Sequence, residues 1–156
     1  MKNSRVAGFG KVFAVAAVVA LAFEVAPAAK AGDKGCSVET LHGSYAQTGS
    51  GVITAPPDQA GPFANVGTLV FDGRGGVTGT LMISQNGMST QVTETGTYTV
   101  NSDCTGTYTV QIDPFGFSSQ EYLAIASGGD ELEILVLDQG SVITCVAKKL
   151  FPGRTI

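Results

Sequence analysis

Apolar and polar residues alternate along most of the chain beyond residue 42, and the alternation is clearest in a repeated segment. Thr-Gly-Thr-Tyr-Thr-Val occurs at 95–100 and again at 105–110. An alternation with period two is typical of a half-buried β-strand, because successive side chains point to opposite faces of a sheet. The two copies therefore predict neighbouring antiparallel strands joined by a tight turn.

The register of this hairpin follows from the requirement that both apolar sets lie on one face. A slip of one residue would move all the apolar side chains of one strand to the other face. Pairing Tyr98 with Tyr108 keeps the two sets together and leaves residues 102–104 as the loop, a length usual for hairpins. We therefore predict a cross-strand pair between Tyr98 and Tyr108.

Turn signals divide the rest of the chain into further strands. Gly- and Pro-rich segments such as Asp72–Gly76, and pairs such as Asn86-Gly87, mark the turns, and no segment in this region has a convincing helical period. The predicted strands are 43–54, 64–71, 77–85, 89–100, 105–112, 117–126, 131–137 and 142–150.

Strands joined mostly by short turns predict an all-β fold, a single antiparallel up-and-down β-barrel of about eight strands. Closure of such a sheet removes its exposed edges, and eight strands leave an interior wide enough for side chains or one small ligand. The alternative is a β-sandwich with a Greek-key crossing. The loop around Pro56-Pro57 is long enough to make that crossing.

The N-terminal segment has the layout of a secretory signal peptide. It has a positively charged start, an apolar run at 12–23 and small-residue A-x-A sites at 26–28 and 29–31. The apolar run is shorter than the roughly 20 residues of a transmembrane helix, although an uncleaved anchor is the alternative. We expect a signal peptide over 1–31, a β-barrel domain over 32–156, no stable membrane anchor after cleavage, and a secreted or periplasmic location.

Charge narrows the range of partners. The whole chain has a net charge of −4, but residues 1–31 carry four of its nine basic and one of its thirteen acidic residues. Residues 32–156 therefore have a net charge of −7. Nucleic-acid binding needs a basic surface, so no nucleic-acid partner is expected, and adhesion to anionic lipid is disfavoured for the same reason.

Three cysteines follow the predicted signal peptide: Cys36, Cys104 and Cys145. In an oxidising compartment they predict one disulfide and one remaining thiol, and three pairings are possible. We favour Cys36–Cys104, because Cys104 lies in the predicted hairpin turn and Cys36 in the extended segment before the first strand. Cys145 lies within an apolar strand, where a thiol usually behaves as a small buried apolar group.

Known catalytic patterns are missing from the sequence. His42, placed just before the first predicted strand, is the only histidine, and no G-x-S-x-G motif accompanies it. The cysteines lack the spacing of a zinc site, so we expect no metal and no cofactor. The aspartates at 72, 103, 113, 130 and 138 all lie in predicted turns, where they are expected to accept hydrogen bonds from the backbone.

Two carboxylates occur on predicted apolar faces. Glu94 shares a face with Tyr98, and Glu121 shares one with Leu123. A buried carboxylate is costly unless it is paired, and burial raises its pKa. If both faces point into the barrel, Glu94, Glu121, Tyr98 and Tyr108 form a tentative binding site that could anchor a ligand or transfer a proton. The alternative is that the glutamates turn outward or are satisfied by tyrosine hydroxyls.

Three segments, at 36–45, 66–73 and 95–107, resemble a family of small secreted bacterial β-proteins that has no established activity. A looser resemblance is to calycin-type barrels, which include the lipocalins and the allene-oxide-cyclase-like barrels. The first strand of those barrels carries a Gly-x-aromatic step that packs against a basic residue of the last strand. Gly43-Ser-Tyr45 and either Lys148 or Lys149 match that pattern, but the tryptophan usual in it is absent.

These observations support three hypotheses about function. The favoured one is an exported, non-enzymatic barrel that binds a small apolar molecule or acts through its loops, with no catalytic residues assigned. The second is a cofactor-free isomerase or cyclase that uses Glu94, Glu121 or both. The third is a structural or surface protein, suggested only by the acidic composition rich in Gly and Thr.

Overall fold

A computed structural model of the chain describes residues 35–152, so the predicted signal peptide lies outside the described residues. A short 3-10 helix, Val38–Thr40, precedes the first strand, and a second, Ser127–Gly129, lies between the sixth and seventh. The strands are β1 His42–Ile53, β2 Gly61–Asp72, β3 Gly76–Gln85, β4 Met88–Val100, β5 Thr105–Asp113, β6 Phe117–Ala126, β7 Glu131–Val136 and β8 Ser141–Lys149.

The strands form a closed antiparallel barrel in which each is paired with its neighbours in sequence. Closure comes from the pairing of β1 with β8, which runs from Tyr45 opposite Lys149 to Ile53 opposite Ser141. The predicted up-and-down barrel is confirmed, and the sandwich is not formed. Because every strand has two neighbours, no edge is left exposed.

β2 begins three residues earlier than predicted, and the other strands begin within one residue of their predicted starts. β2 starts at Gly61, because Gly61 and Pro62 pair with the end of β1, and this pairing outweighs the local turn signal. β1 starts at His42, which pairs with Asp72 and is exposed at the barrel rim.

The repeated hairpin has the predicted register. Tyr98 lies opposite Tyr108, and the amide of Asn101 donates a hydrogen bond to the carbonyl oxygen of Thr105 over 2.7 Å. Residues 102–104 therefore form the loop. The face carrying both tyrosines points into the barrel, since both rings are almost completely buried.

One end of the barrel is filled by aromatic rings. The Phe71 ring makes edge contacts with the rings of Tyr45 and Tyr98, with centroid separations of 5.3 Å and 5.1 Å. The Tyr98 hydroxyl lies 3.0 Å from the carbonyl oxygen of Val38 and 2.8 Å from that of Leu41. These contacts hold the segment before β1 across this end, which we call the packed end.

A disulfide joins Cys36 to Cys104, as predicted, and Cys145 is a buried free thiol. The disulfide links the start of the described chain to the β4–β5 turn at the packed end. Within residues 35–152, no helix has the length and apolar character needed to cross a membrane.

Candidate functional site

The half of the barrel away from the packed end contains a cavity of about 780 Å³. Its walls are formed by apolar side chains from several strands: Ile53, Phe63, Ile83, Ile112 and Val136. Three loops, at 54–60, 114–116 and 137–140, contribute residues to its rim. At this open end, the exposed rings of Phe115 and Phe117 are stacked with their centroids 6.1 Å apart.

Glu94 on β4 and Glu121 on β6 both line this cavity. The alternation of each strand directs them inward, with Val92 and Leu123 as buried neighbours on the same faces. Glu94 is 5% exposed and Glu121 is 6% exposed. The structure therefore brings together the two carboxyl groups that the sequence singled out.

Burial dominates the electrostatics of both carboxyl groups. Removal from water raises the pKa of Glu94 to about 7. Burial likewise raises the pKa of Glu121 to about 8, and the negative charge of Glu94 adds to that increase. At neutral pH the two groups are thus close to the midpoint of titration, which suits them to gain or lose a proton.

Glu121 belongs to a small polar network. The Ser119 hydroxyl lies 3.1 Å from Oε1 of Glu121 and 2.6 Å from Oδ2 of Asp138. Asp138 also accepts a hydrogen bond from the backbone amide of Gln120 over 3.1 Å. The Tyr108 hydroxyl also interacts with the Glu121 carboxyl and acts to lower its pKa, whereas Oε2 of Glu121 has no hydrogen-bond partner among the described residues.

Tyr98 and Tyr108 do not line the cavity with the two glutamates. Tyr98 belongs to the packed end, where its hydroxyl contacts backbone carbonyls. Tyr108 lies opposite Glu121 on the neighbouring strand, and its ring contacts Phe71 with a centroid separation of 6.3 Å. This placement differs from the predicted one, because the aromatic rings fill the barrel at the level of the pair and leave no space there.

Sequence reasoning did not assign Gln47, Asn65, Ser119 or Asp138 to the site, yet all four line the cavity. The first three have a signal that could have found them, since each is a polar residue on the inward face of an alternating strand. Asp138 lacks such a signal, because it lies in a turn and reaches the cavity only through the path of the loop.

The prediction that turn aspartates accept hydrogen bonds from the backbone holds for Asp72 and Asp103, which accept them from nearby backbone amides.

Cys145 also lines the cavity, beside Asn65, whose Nδ2 lies 3.6 Å from the sulfur. Gly49 makes room for both side chains, because a Cβ at that position would collide with the Cys145 sulfur. Burial raises the pKa of the Cys145 thiol to about 11. The thiol is therefore protonated at neutral pH and contributes packing, not a nucleophile.

Lys149, at the end of β8, places its ammonium group 5.9 Å from the centre of the Tyr45 ring. Gly43 has a φ of 93°, a backbone conformation that favours glycine, and a Cβ there would make only ordinary van der Waals contact with Cε of Lys149 at 3.6 Å. The resemblance to calycin-type barrels implied such a contact between the Gly-x-aromatic step and either Lys148 or Lys149. Lys148 instead pairs with Glu131 on the outer surface over 3.3 Å.

Comparisons of the chain with protein-family models, with curated proteins and with solved structures return no match. Within residues 35–152, no group of three His, Cys, Asp or Glu side chains is arranged to hold a metal ion.

Proposed function

We propose that this protein is an exported binding barrel that holds a small, largely apolar molecule in its cavity. The observation that carries this proposal is the cavity of about 780 Å³ at the open end. Pockets for small molecules usually span about 300–1,000 Å³ and combine apolar walls with a few polar groups. The aliphatic walls with two carboxyl groups among them have this composition.

Two further features support the proposal. The disulfide between Cys36 and Cys104 suits an oxidising compartment outside the cytoplasm. The contact of Lys149 with Tyr45 lies at the end opposite the cavity, and such a contact is expected of the calycin-type barrels that the sequence resembles. In this proposal the packed end acts as a rigid base, and the open end receives the ligand.

Native mass spectrometry tests this function directly. Protein expressed from the full chain and purified without detergent should carry an additional small-molecule mass that is released by mild activation. The matched control is Val92→Phe, which puts a larger side chain on the cavity wall and should reduce the bound fraction. An unliganded mass in repeated preparations, together with no thermal shift from apolar probes, would contradict ligand binding.

The raised pKa values of Glu94 and Glu121 favour a second candidate, a cofactor-free isomerase or cyclase. A buried carboxyl group that titrates near neutral pH can act as general acid or general base. The molecule released in the native experiment would be incubated with fresh protein in D₂O. Deuterium incorporation or isomer formation that Glu94→Gln or Glu121→Gln abolishes would support catalysis, whereas an unchanged molecule supports binding alone.

A further inference from the structure

Four buried oxygen atoms around the cavity have no hydrogen-bond partner: Gln47 Oε1, Asn65 Oδ1, Glu94 Oε2 and Glu121 Oε2. They come from four different strands, and all four side chains line the same cavity. The two amide oxygens can only accept hydrogen bonds, and the carboxyl oxygens are acceptors once Glu94 and Glu121 are ionised. A buried acceptor without a donor is unfavourable, so this group of atoms is complementary to a ligand that carries several donors.

The charges of the described residues are distributed unevenly along the barrel. The cationic side chains among residues 35–152 are Arg74, Lys148 and Lys149, all in the loops and strand ends of the packed half. The two lysines pair there with Glu131 and Asp130, respectively. None of these cations lines the cavity.

In the part of the open half that the structure describes, the ionisable side chains are acidic. Glu94, Glu121 and Asp138 line the cavity, and Asp58 and Asp113 lie in the loop and strand end around its mouth. A cleft lined by one sign of charge in a low-dielectric surrounding concentrates ligands of the opposite sign. Among the described residues, the four oxygen atoms lack hydrogen-bond donors and the carboxyl groups of the cavity lack a positive partner. A ligand with both donors and a positive charge would supply what is missing in each case.

We propose that the cavity binds a cationic amine, with its ammonium group at Glu94 and Glu121 and its apolar part along the aliphatic wall. An ammonium group supplies up to three hydrogen-bond donors, and its positive charge would pair with the two carboxylates, which have no cationic partner among the described residues. The amide oxygens of Gln47 and Asn65 offer further acceptors. This inference rests on the proposed binding function and specifies the chemistry of its ligand.

Amine binding is coupled to proton release. The groups that face Glu121 are Tyr108, Ser119, Asp138, Cys145 and Glu94, and those that face Glu94 are Glu121, Tyr108 and Cys145. None of these groups is cationic, so at neutral pH in the empty cavity Glu121 is mostly protonated and Glu94 is about half protonated. When R–NH₃⁺ binds, a carboxyl group gives its proton to solvent and the resulting carboxylate pairs with the ammonium. The affinity should therefore increase with pH until the carboxyl groups are ionised in the free protein, near pH 8.

Octylamine, 1-octanol and octanoate provide a direct test, since they share one alkyl chain and differ only in the head group. Isothermal titration calorimetry at pH 8 should show octylamine binding at least about tenfold more tightly than octanol, with octanoate the weakest. For octylamine, the affinity should rise from pH 6 to pH 8 by up to about tenfold per pH unit, with proton release detected in buffers of different ionisation enthalpy.

Three variants separate the head-group effect from general binding. Glu94→Gln/Glu121→Gln should lose the preference for octylamine over octanol, since an amide still accepts a hydrogen bond but carries no charge. Glu133→Gln, on the outer surface, should keep the preference. Val92→Phe should weaken all three probes.

Equal affinity for octylamine and octanol, or tighter binding of octanoate, would overturn the amine inference and leave the binding function standing. Failure of all three probes to bind, combined with an unliganded native mass, would overturn both. Retention of the octylamine preference in the double glutamine variant would also contradict the inference, because the carboxylates would then play no part in it.

Discussion

At the scale of single residues, Glu94 and Glu121 are the groups whose chemistry the fold changes most. Both are buried away from water, so their neutral forms are favoured in the folded protein relative to the unfolded chain. The unfolded chain returns them to water, where they ionise near their ordinary pKa of 4.5. Their protonation is therefore linked to folding.

This linkage predicts that stability falls as the pH rises. Above pH 4.5 the unfolded chain releases protons that the folded protein still holds, until Glu94 ionises near pH 7 and Glu121 near pH 8. The free energy of unfolding should drop by up to about 1.4 kcal/mol per pH unit for each carboxyl group in this window. Urea unfolding at intervals from pH 4.5 to 8.5 measures the slope.

Glu94→Gln and Glu121→Gln should each flatten that slope and make the protein more stable than the wild type at pH 8. Glu133→Gln is the matched control on the outer surface and should keep the wild-type slope. A wild-type stability that rises or stays constant between pH 5 and pH 8 would show that the two carboxyl groups are already ionised in the folded protein.

At the scale of elements, the segment before β1 and the β4–β5 hairpin act as one unit. The Cys36–Cys104 disulfide and the contacts of the Tyr98 hydroxyl both join the segment to this hairpin. The disulfide spans a sequence separation of 68 residues. Closing a loop of that length restricts the unfolded chain and stabilises the fold by about 4 kcal/mol in the chain-entropy model.

Loss of this disulfide should therefore lower the free energy of unfolding by about 4 kcal/mol. Cys36→Ala/Cys104→Ala and chemical reduction of the wild type are expected to have similar effects in urea unfolding. A reductant should not change the double variant further, which is the internal control. Peptide mapping without reduction should link Cys36 to Cys104, and a peptide joining Cys104 to Cys145 would contradict this structure.

At the scale of the whole molecule, the barrel has two unlike halves. Aromatic rings fill the packed end around Phe71, whereas the open end contains the cavity. Val77 and Val92 illustrate the difference, because both are 1% exposed and point inward, but only Val92 lines the cavity. The same substitution should therefore have different consequences at the two positions.

Val77→Phe should destabilise the protein by about 1–3 kcal/mol, since the larger side chain has no free volume at the packed end. Val92→Phe should cost less, because its ring can extend into the cavity, and should weaken ligand binding instead. Thermal unfolding and probe affinity measured for both variants test this contrast. Equal destabilisation by the two substitutions would mean that the open half is as tightly packed as the other.

Much of this architecture is predictable from local patterns. The alternation around Tyr98 and Tyr108 determines the hairpin register, and the same alternation places Glu94 and Glu121 on inward faces. It also places Gln47 and Asn65 inward, although sequence reasoning did not use that signal. The positions of Cys36 and Cys104 in a leading segment and a turn were enough to predict their disulfide.

The sequence by itself determined which side chains of each strand point into the barrel. Successive side chains of a strand point to opposite faces of the sheet, so the apolar residues at alternate positions mark the inward face. The tertiary structure alone decided the level of each side chain along the barrel, because that level depends on the pairing of β1 with β8 and on the register of all the strands together. This is why the tyrosine pair lies in the packed region, whereas Glu94, Glu121 and the unpredicted Asp138 meet around a cavity.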